Sequence, residues 1–163
     1  MKNQFCKCDL DHTFSIFHNN IRSLKKSLDS LQCEILDELD FHFDLLGVTE
    51  TKITNLHEHC AIPNIPGYNF EHVPTPLSAE GVGLFRDQSL HYLVLEKTST
   101  PDFQAPWIEV CFVRRKNLVC GIVYRQYNSS EQFLSYIGGL QPIPRDTDNN
   151  NAMYNCWWKN KRS

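Results

Sequence analysis

The segment Phe14-Ser15-Ile16-Phe17-His18-Asn19-Asn20 runs through Ile21-Arg22-Ser23 into a stretch with a different rhythm. As far as Asn19, apolar and polar residues alternate, the period of a strand with one buried face. From there Leu24, Leu28, Leu31, Ile35 and Leu39 recur at spacings of four, three, four and four, which sets them along one helical face. Ser23 is placed to cap that helix, its hydroxyl accepting a first-turn N–H. Phe43 to Val48, with Asp44 at its start and Leu45-Leu46-Gly47-Val48 as a buried run, predicts a second strand. Strand, helix and strand in this order form a βαβ-like unit, which would set the two strands side by side and parallel. Ligands of open α/β sheets bind at the carboxyl ends of such strands. Asn20 and Glu50 would share that rim.

Beyond this unit the periodicity fades from Thr51 to Pro66, a loop marked by Pro63 and Pro66. Short strand-like runs follow at Tyr68–Val73, Gly81–Phe85, Leu90–Leu95, Trp107–Val113 and Leu118–Tyr124, with Arg114-Arg115-Lys116-Asn117 as the polar turn between the last two. Ser130 to Leu140 predicts a second helix ending at Gly138-Gly139. Residues 141–163 hold two prolines, the run Asn149-Asn150-Asn151 and no apolar period, and are expected to be irregular or disordered. The organisation is thus an N-terminal extension over 1–13, one α/β domain over 14–140, and a tail over 141–163.

The 163 residues suit one ordinary domain, and 41% apolar with 21% charged residues excludes collagen-like or wholly disordered chains. No apolar run reaches the ~18 residues of a membrane span. The N-terminus lacks the apolar core of a secretion signal, so an intracellular protein of nucleus or cytoplasm is expected. The net charge of −3 is unevenly spread: residues 1–80 carry −6 and residues 81–163 carry +3. Such a division suits carboxylates set near phosphates with a metal between them, and equally suits two solvated faces. The seven cysteines are read mainly as reduced thiols, with Cys111 and Cys120 acting as small hydrophobes inside strands.

Asn20 and Glu50 offer a carboxamide and a carboxylate, hard oxygens suited to Mg²⁺. Taken by spacing alone, the same residues fit a turn-forming asparagine and a solvated loop acid. His57-Glu58-His59-Cys60 and Cys6-Lys7-Cys8 have metal-binding residue types, but neighbouring ligands converge poorly on one ion. Trp157-Trp158 with Lys159, Lys161 and Arg162 suits base stacking with phosphate contact, and equally an unpacked terminus.

Five pieces stand in a telling order: Phe17 to Leu24, Phe43 to Thr51, Ile65-Pro66-Gly67-Tyr68, Glu80-Gly81-Val82-Gly83-Leu84-Phe85 and Gly121-Ile122-Val123-Tyr124-Arg125. Over residues 14–137 the chain resembles the endonuclease/exonuclease/phosphatase superfamily, in particular the apurinic-type endonuclease of non-LTR (LINE-like) retrotransposons. The resemblance implies a partial four-layer α/β sandwich of the DNase I-like type, with mixed sheets and flanking helices. It further implies hydrolysis of DNA phosphodiesters with Mg²⁺ (or Mn²⁺), and a reverse transcriptase domain as partner in the full polyprotein. Carried onto this sequence, Glu50 is the metal ligand and Asn20 organises metal and phosphate. Tyr124 lies near the scissile phosphate, and Arg22 and Arg125 touch nucleic acid.

The family's Gly-Asp-Phe-Asn-like segment and its Ser-Asp-His segment, sources of the phosphate-holding Asp and Asn and of the general base, are not found in these residues. The seven histidines, His12 to His91, all precede the position of the family's base. The reading is therefore an N-terminal portion with impaired nicking, or else a non-catalytic remnant that binds nucleic acid or protein. The resemblance also implies that most strands of the second sheet lie elsewhere, leaving the facing side of the first sheet bare.

Overall fold

The computed structural model describes residues 14–54, 64–75, 80–113, 116–125, 133 and 135–136, together with the backbone of 153–160. The extension 1–13, the His57–Cys60 cluster, Arg114 and Arg115 lie outside the described residues. Strand β1 (Ile16–Asn20) leads into helix α1 (Leu24–Ser30) and a π-helical continuation (Leu31–Asp37), then to β2 (Leu45–Thr49). Five more strands follow, β3 (Tyr68–Val73), β4 (Val82–Asp87), β5 (Tyr92–Ser99), β6 (Phe103–Val110) and β7 (Leu118–Arg125), and then β8 (Met153–Asn160). They form two four-stranded sheets, ordered β1-β2-β4-β3 and β5-β6-β7-β8. The first pair, β1 and β2, is parallel, with Asn20 opposite Thr49.

The layers follow from alternation along the strands. On β2, Leu46 and Val48 face α1 and join Leu24, Leu28, Leu31 and Phe85 in one core. Leu45 faces the other way and joins Leu84, Ile108, Val110, Cys120 and Ile122 between the sheets. The outer face of the second sheet buries Phe103, Trp107, Val119 and Val123 under Phe133, with Tyr136 packed alongside. Phe133, Ser135 and Tyr136 are helical, and the Trp107 indole N–H donates to the Tyr136 hydroxyl at 2.8 Å. Helix, sheet, sheet and helical segment make the four layers expected.

Four expectations need correction. The face meant for a second sheet is not bare, because β5, β6 and β7 cover it with the inter-sheet core just described. Short hairpin strands carry their pairing in register, which alternation alone does not encode. The single helical face also fails near its end: Leu39 is 56% exposed while Leu36 packs inward. The π-helical segment takes an extra residue per turn, so positions beyond Leu31 rotate off the face that Leu24 and Leu28 define. Ser23 precedes α1 but makes no side-chain cap bond; Leu24 N–H instead donates to the Thr51 carbonyl at 2.9 Å. Finally, the segment expected to be irregular from 141 contains β8, parallel to β7 from Leu118↔Met153 to Arg125↔Asn160. An unpaired β7 edge is a template for any nearby stretch free of proline and glycine.

Where β3 passes β5, Glu71 links the sheets. It accepts from the Tyr92 hydroxyl at 2.5 Å and pairs with Lys97 at 2.8 Å. Burial pushes the Glu71 carboxyl up, but the hydrogen bonds from Lys97 and Tyr92 outweigh it and hold the carboxyl below its ordinary value. A depressed carboxylate contributes stability that is present above the unfolded value, about 4.3, and lost as pH falls through the folded one. Urea unfolding should therefore show stability falling on acidification below that range. In Glu71→Gln the fall should be shallower, and an unchanged slope would disprove the coupling.

Candidate active site

At the carboxyl rim of β1 and β2 the chain makes two tight exits. Arg22, Glu50 and Lys52 have φ of +53°, +57° and +57°. Left-handed backbone costs a residue with a Cβ about 1–2 kcal/mol, and such costs gather where geometry is needed for function. What they accomplish is visible in the side chains. The Asn20 amide Nδ2 donates to Glu50 Oε1 at 2.8 Å, and Asn20 Oδ1 accepts the Arg22 backbone N–H at 3.2 Å. Both exits are pinned by backbone bonds. Ile21 N–H reaches the Thr49 carbonyl at 3.2 Å, Thr51 N–H the Gly81 carbonyl at 3.1 Å and Lys52 N–H the Glu80 carbonyl at 2.7 Å.

The other sheet contributes Tyr124. It lies on β7 in line with Cys120 and Ile122, faces the first sheet and is 3% exposed. Burial, then the charges of Glu50 and Glu80, push its phenol up to about 12. The phenol is thus a proton-bearing donor at neutral pH, within electrostatic reach of two carboxylates. Arg22 is exposed beside Asn20. Arg125 points to the opposite face of β7, its guanidinium 4.8 Å from the centre of the Phe133 ring. The structure brings Asn20 and Glu50 into contact, sets Tyr124 of the other sheet within electrostatic reach of Glu50, keeps Arg22 at the rim and turns Arg125 outward.

Sequence reasoning missed three members of this neighbourhood. Glu80 is buried and accepts from the Thr75 hydroxyl at 3.4 Å. Gln104, directly across β6–β7 from Tyr124, accepts the Gly81 N–H on its Oε1 at 3.0 Å. Thr49 Oγ1 and Gln104 Nε2 are both buried without a hydrogen-bond partner among the described residues. The available signal was Gln104 itself, a polar residue in the apolar run Phe103 to Ile108. Glu80 left none, because a charged residue before Gly81 reads as a loop acid.

The donor set tests which metal these residues suit. Among the described residues no three His, Cys, Asp or Glu side chains gather around one point, which does not suit a zinc-type centre. A carboxylate with a carboxamide, and a second carboxylate nearby, fits Mg²⁺ or Mn²⁺, which keep several waters and need only one or two protein carboxylates. His42 is occupied elsewhere, paired with Asp87 and stacked on Tyr68 at the opposite end of the sheet. No helix among the described residues is long and apolar enough to cross a membrane.

No protein-family model matches the chain, and no curated protein matches its sequence. Its shape does have counterparts. It is similar to the AP endonuclease LMAP from Leishmania major, with a TM-score of 0.52, 14% identity, and coverage of 69% of this chain and 40% of that one. It is similar as well to the endonuclease domain of TRAS1, a telomere-specific non-LTR retrotransposon, with a TM-score of 0.53, 9% identity, and coverage of 77% of this chain and 51% of that domain. The chain therefore spans between two fifths and about half of these structures. Over the part they share, its two sheets and flanking helical layers have the DNase I-like fold.

Proposed function

We propose that this chain is a portion of a retrotransposon-type endonuclease domain whose chemistry is Mg²⁺-dependent nicking of DNA, in slowed form. The observation that carries the reading is the Asn20–Glu50 contact of 2.8 Å at the strand ends, beside a buried Tyr124. Glu50 and Asn20 would hold the cation, which when bound neutralises charge developing on the phosphoryl oxygens. The Asn20 amide fixes the rotamer of Glu50. Tyr124, kept protonated by its surroundings, donates to a non-bridging oxygen as negative charge grows there. Arg22 offers a contact to the DNA backbone, and Arg125 would do so only from the outer face. A reverse transcriptase domain is the partner this reading implies in a longer polyprotein. The reaction is expected to be slow because the family's base-bearing Ser-Asp-His segment is not found in this sequence, so that hydroxide from solvent would serve in its place.

The test is relaxation of supercoiled plasmid. Nicking should require Mg²⁺ or Mn²⁺, stop on chelation, and accelerate as pH rises through the neutral range. Salt-dependent DNA binding with no cation-dependent nicking would overturn the reading in favour of a remnant that only binds.

A further inference from the structure

The site draws Asn20 and Glu50 from one sheet and Tyr124 from the other, so its geometry depends on how the sheets are registered. Most of what joins them is apolar packing, which is strong but non-directional. One directional link lies next to the site. Gln104 on β6, opposite Tyr124, reaches across with Oε1 to the Gly81 N–H at 3.0 Å. The Gly81 and Glu80 carbonyls then accept Thr51 N–H at 3.1 Å and Lys52 N–H at 2.7 Å, the two amides immediately after Glu50. One side-chain link followed by two parallel backbone bonds thus runs from the strand neighbour of Tyr124 to the backbone immediately after Glu50.

Gln104 is an expensive way to fill its position if packing were its only role. It is 1% exposed, and its Nε2 finds no acceptor among the described residues. A buried donor without a partner costs free energy that leucine or methionine there would not incur. We propose that Gln104 is a positioning residue of the candidate site, holding Gly81 and through it the Glu50–Lys52 turn at a fixed offset from Tyr124. The cation part of its test rests on the reading of Glu50 as a metal ligand; the exchange part stands apart from it.

The full chain carrying Gln104→Met or Gln104→Glu is compared with wild type by amide hydrogen exchange and by Mn²⁺ titration. In Gln104→Met the Thr51 and Lys52 amides should exchange faster relative to those of Ile108 and Ile122, and Mn²⁺ affinity should fall about 10-fold. Gln104→Glu keeps an oxygen for the Gly81 N–H and should recover the exchange protection of Thr51 and Lys52, the readout that its added charge does not itself set. Wild-type protection of Thr51 and Lys52 in Gln104→Met overturns the proposal whatever the cation does. Lost protection with unchanged Mn²⁺ affinity, where Glu50→Gln does weaken Mn²⁺, reduces Gln104 to a structural link and also overturns it. If wild type binds no Mn²⁺, the cation reading fails by itself and the exchange result alone decides. Should Gln104→Met lose protection everywhere, recovery of the Thr51 and Lys52 amides in Gln104→Glu supports the proposal and its failure refutes it.

Discussion

Replacing Glu50 with glutamine should weaken Mn²⁺ or Mg²⁺ binding about 100-fold and reduce cation-dependent nicking by at least as much. The substitution is nearly isosteric, and a glutamine Oε1 still accepts from Asn20 Nδ2, which now sits at 2.8 Å from the carboxylate. Backbone strain is unchanged, since glutamine at φ +57° is no worse than glutamate. What disappears is one unit of negative charge. Two unit charges at ~4 Å and an effective dielectric near ~20 interact by ~4 kcal/mol, and partial exposure of Glu50 discounts this toward ~3 kcal/mol. A second consequence follows at Tyr124. Its phenol is held up to about 12 by burial first and then by the charges of Glu50 and Glu80. Removing one of those charges favours the phenolate, so the Tyr124 value should move down in Glu50→Gln. Calorimetric titration with Mn²⁺ checks the first effect and ultraviolet titration of the phenol the second. Wild-type affinity in the variant would remove Glu50 from the site.

The part of this neighbourhood that was legible in the sequence is the part governed by local period. Alternation to Asn19, the leucine spacing from Leu24 and the apolar run Leu45–Val48 read as a strand–helix–strand unit, and the structure pairs its strands in parallel with Asn20 opposite Thr49, hence next to Glu50. The same logic failed where period changes inside an element. Nothing in Leu31-Gln32-Cys33-Glu34-Ile35-Leu36-Asp37 distinguishes a π-helical segment from an α-helix, yet the change leaves Leu39 exposed. Glu80 and Gln104 were hidden for another reason. Their burial comes from contact between sheets, and a chain read along its length cannot tell an inward polar residue with a distant partner from an outward one with none. Tyr124 became legible as a site residue through resemblance, since by period alone it is one more inward side chain among Cys120 and Ile122.

Gly81→Ala should be the costliest single change beside the site, lowering stability by about 3 kcal/mol. Two penalties combine. Gly81 has φ of +106°, which a residue with a Cβ rarely adopts, and an added Cβ would lie 2.2 Å from Thr51 Oγ1 and 3.3 Å from the Lys52 backbone nitrogen. Thr51 is 2% exposed, so its hydroxyl has little room to retreat. Gly67 is the natural control. It also has positive φ, +82°, but its added Cβ would meet only His42 Cε1 at an ordinary 3.7 Å. Gly67→Ala should therefore cost only the backbone penalty, about 1 kcal/mol, and the difference between the variants isolates the clash with Thr51. For a chain of this size each kcal/mol lowers the melting temperature by roughly 2–4 °C, so the two should separate clearly in a thermal scan. Because Gly81 accepts the Thr51 N–H, displacement of Thr51 should also loosen the Glu50 turn. The alanine at 81 should then lose Mn²⁺ affinity even at temperatures where it remains folded, while the alanine at 67 should not. Equal stability losses in the two variants, with equal Mn²⁺ affinity, would mean that the 80–81 segment does not brace the Glu50 turn.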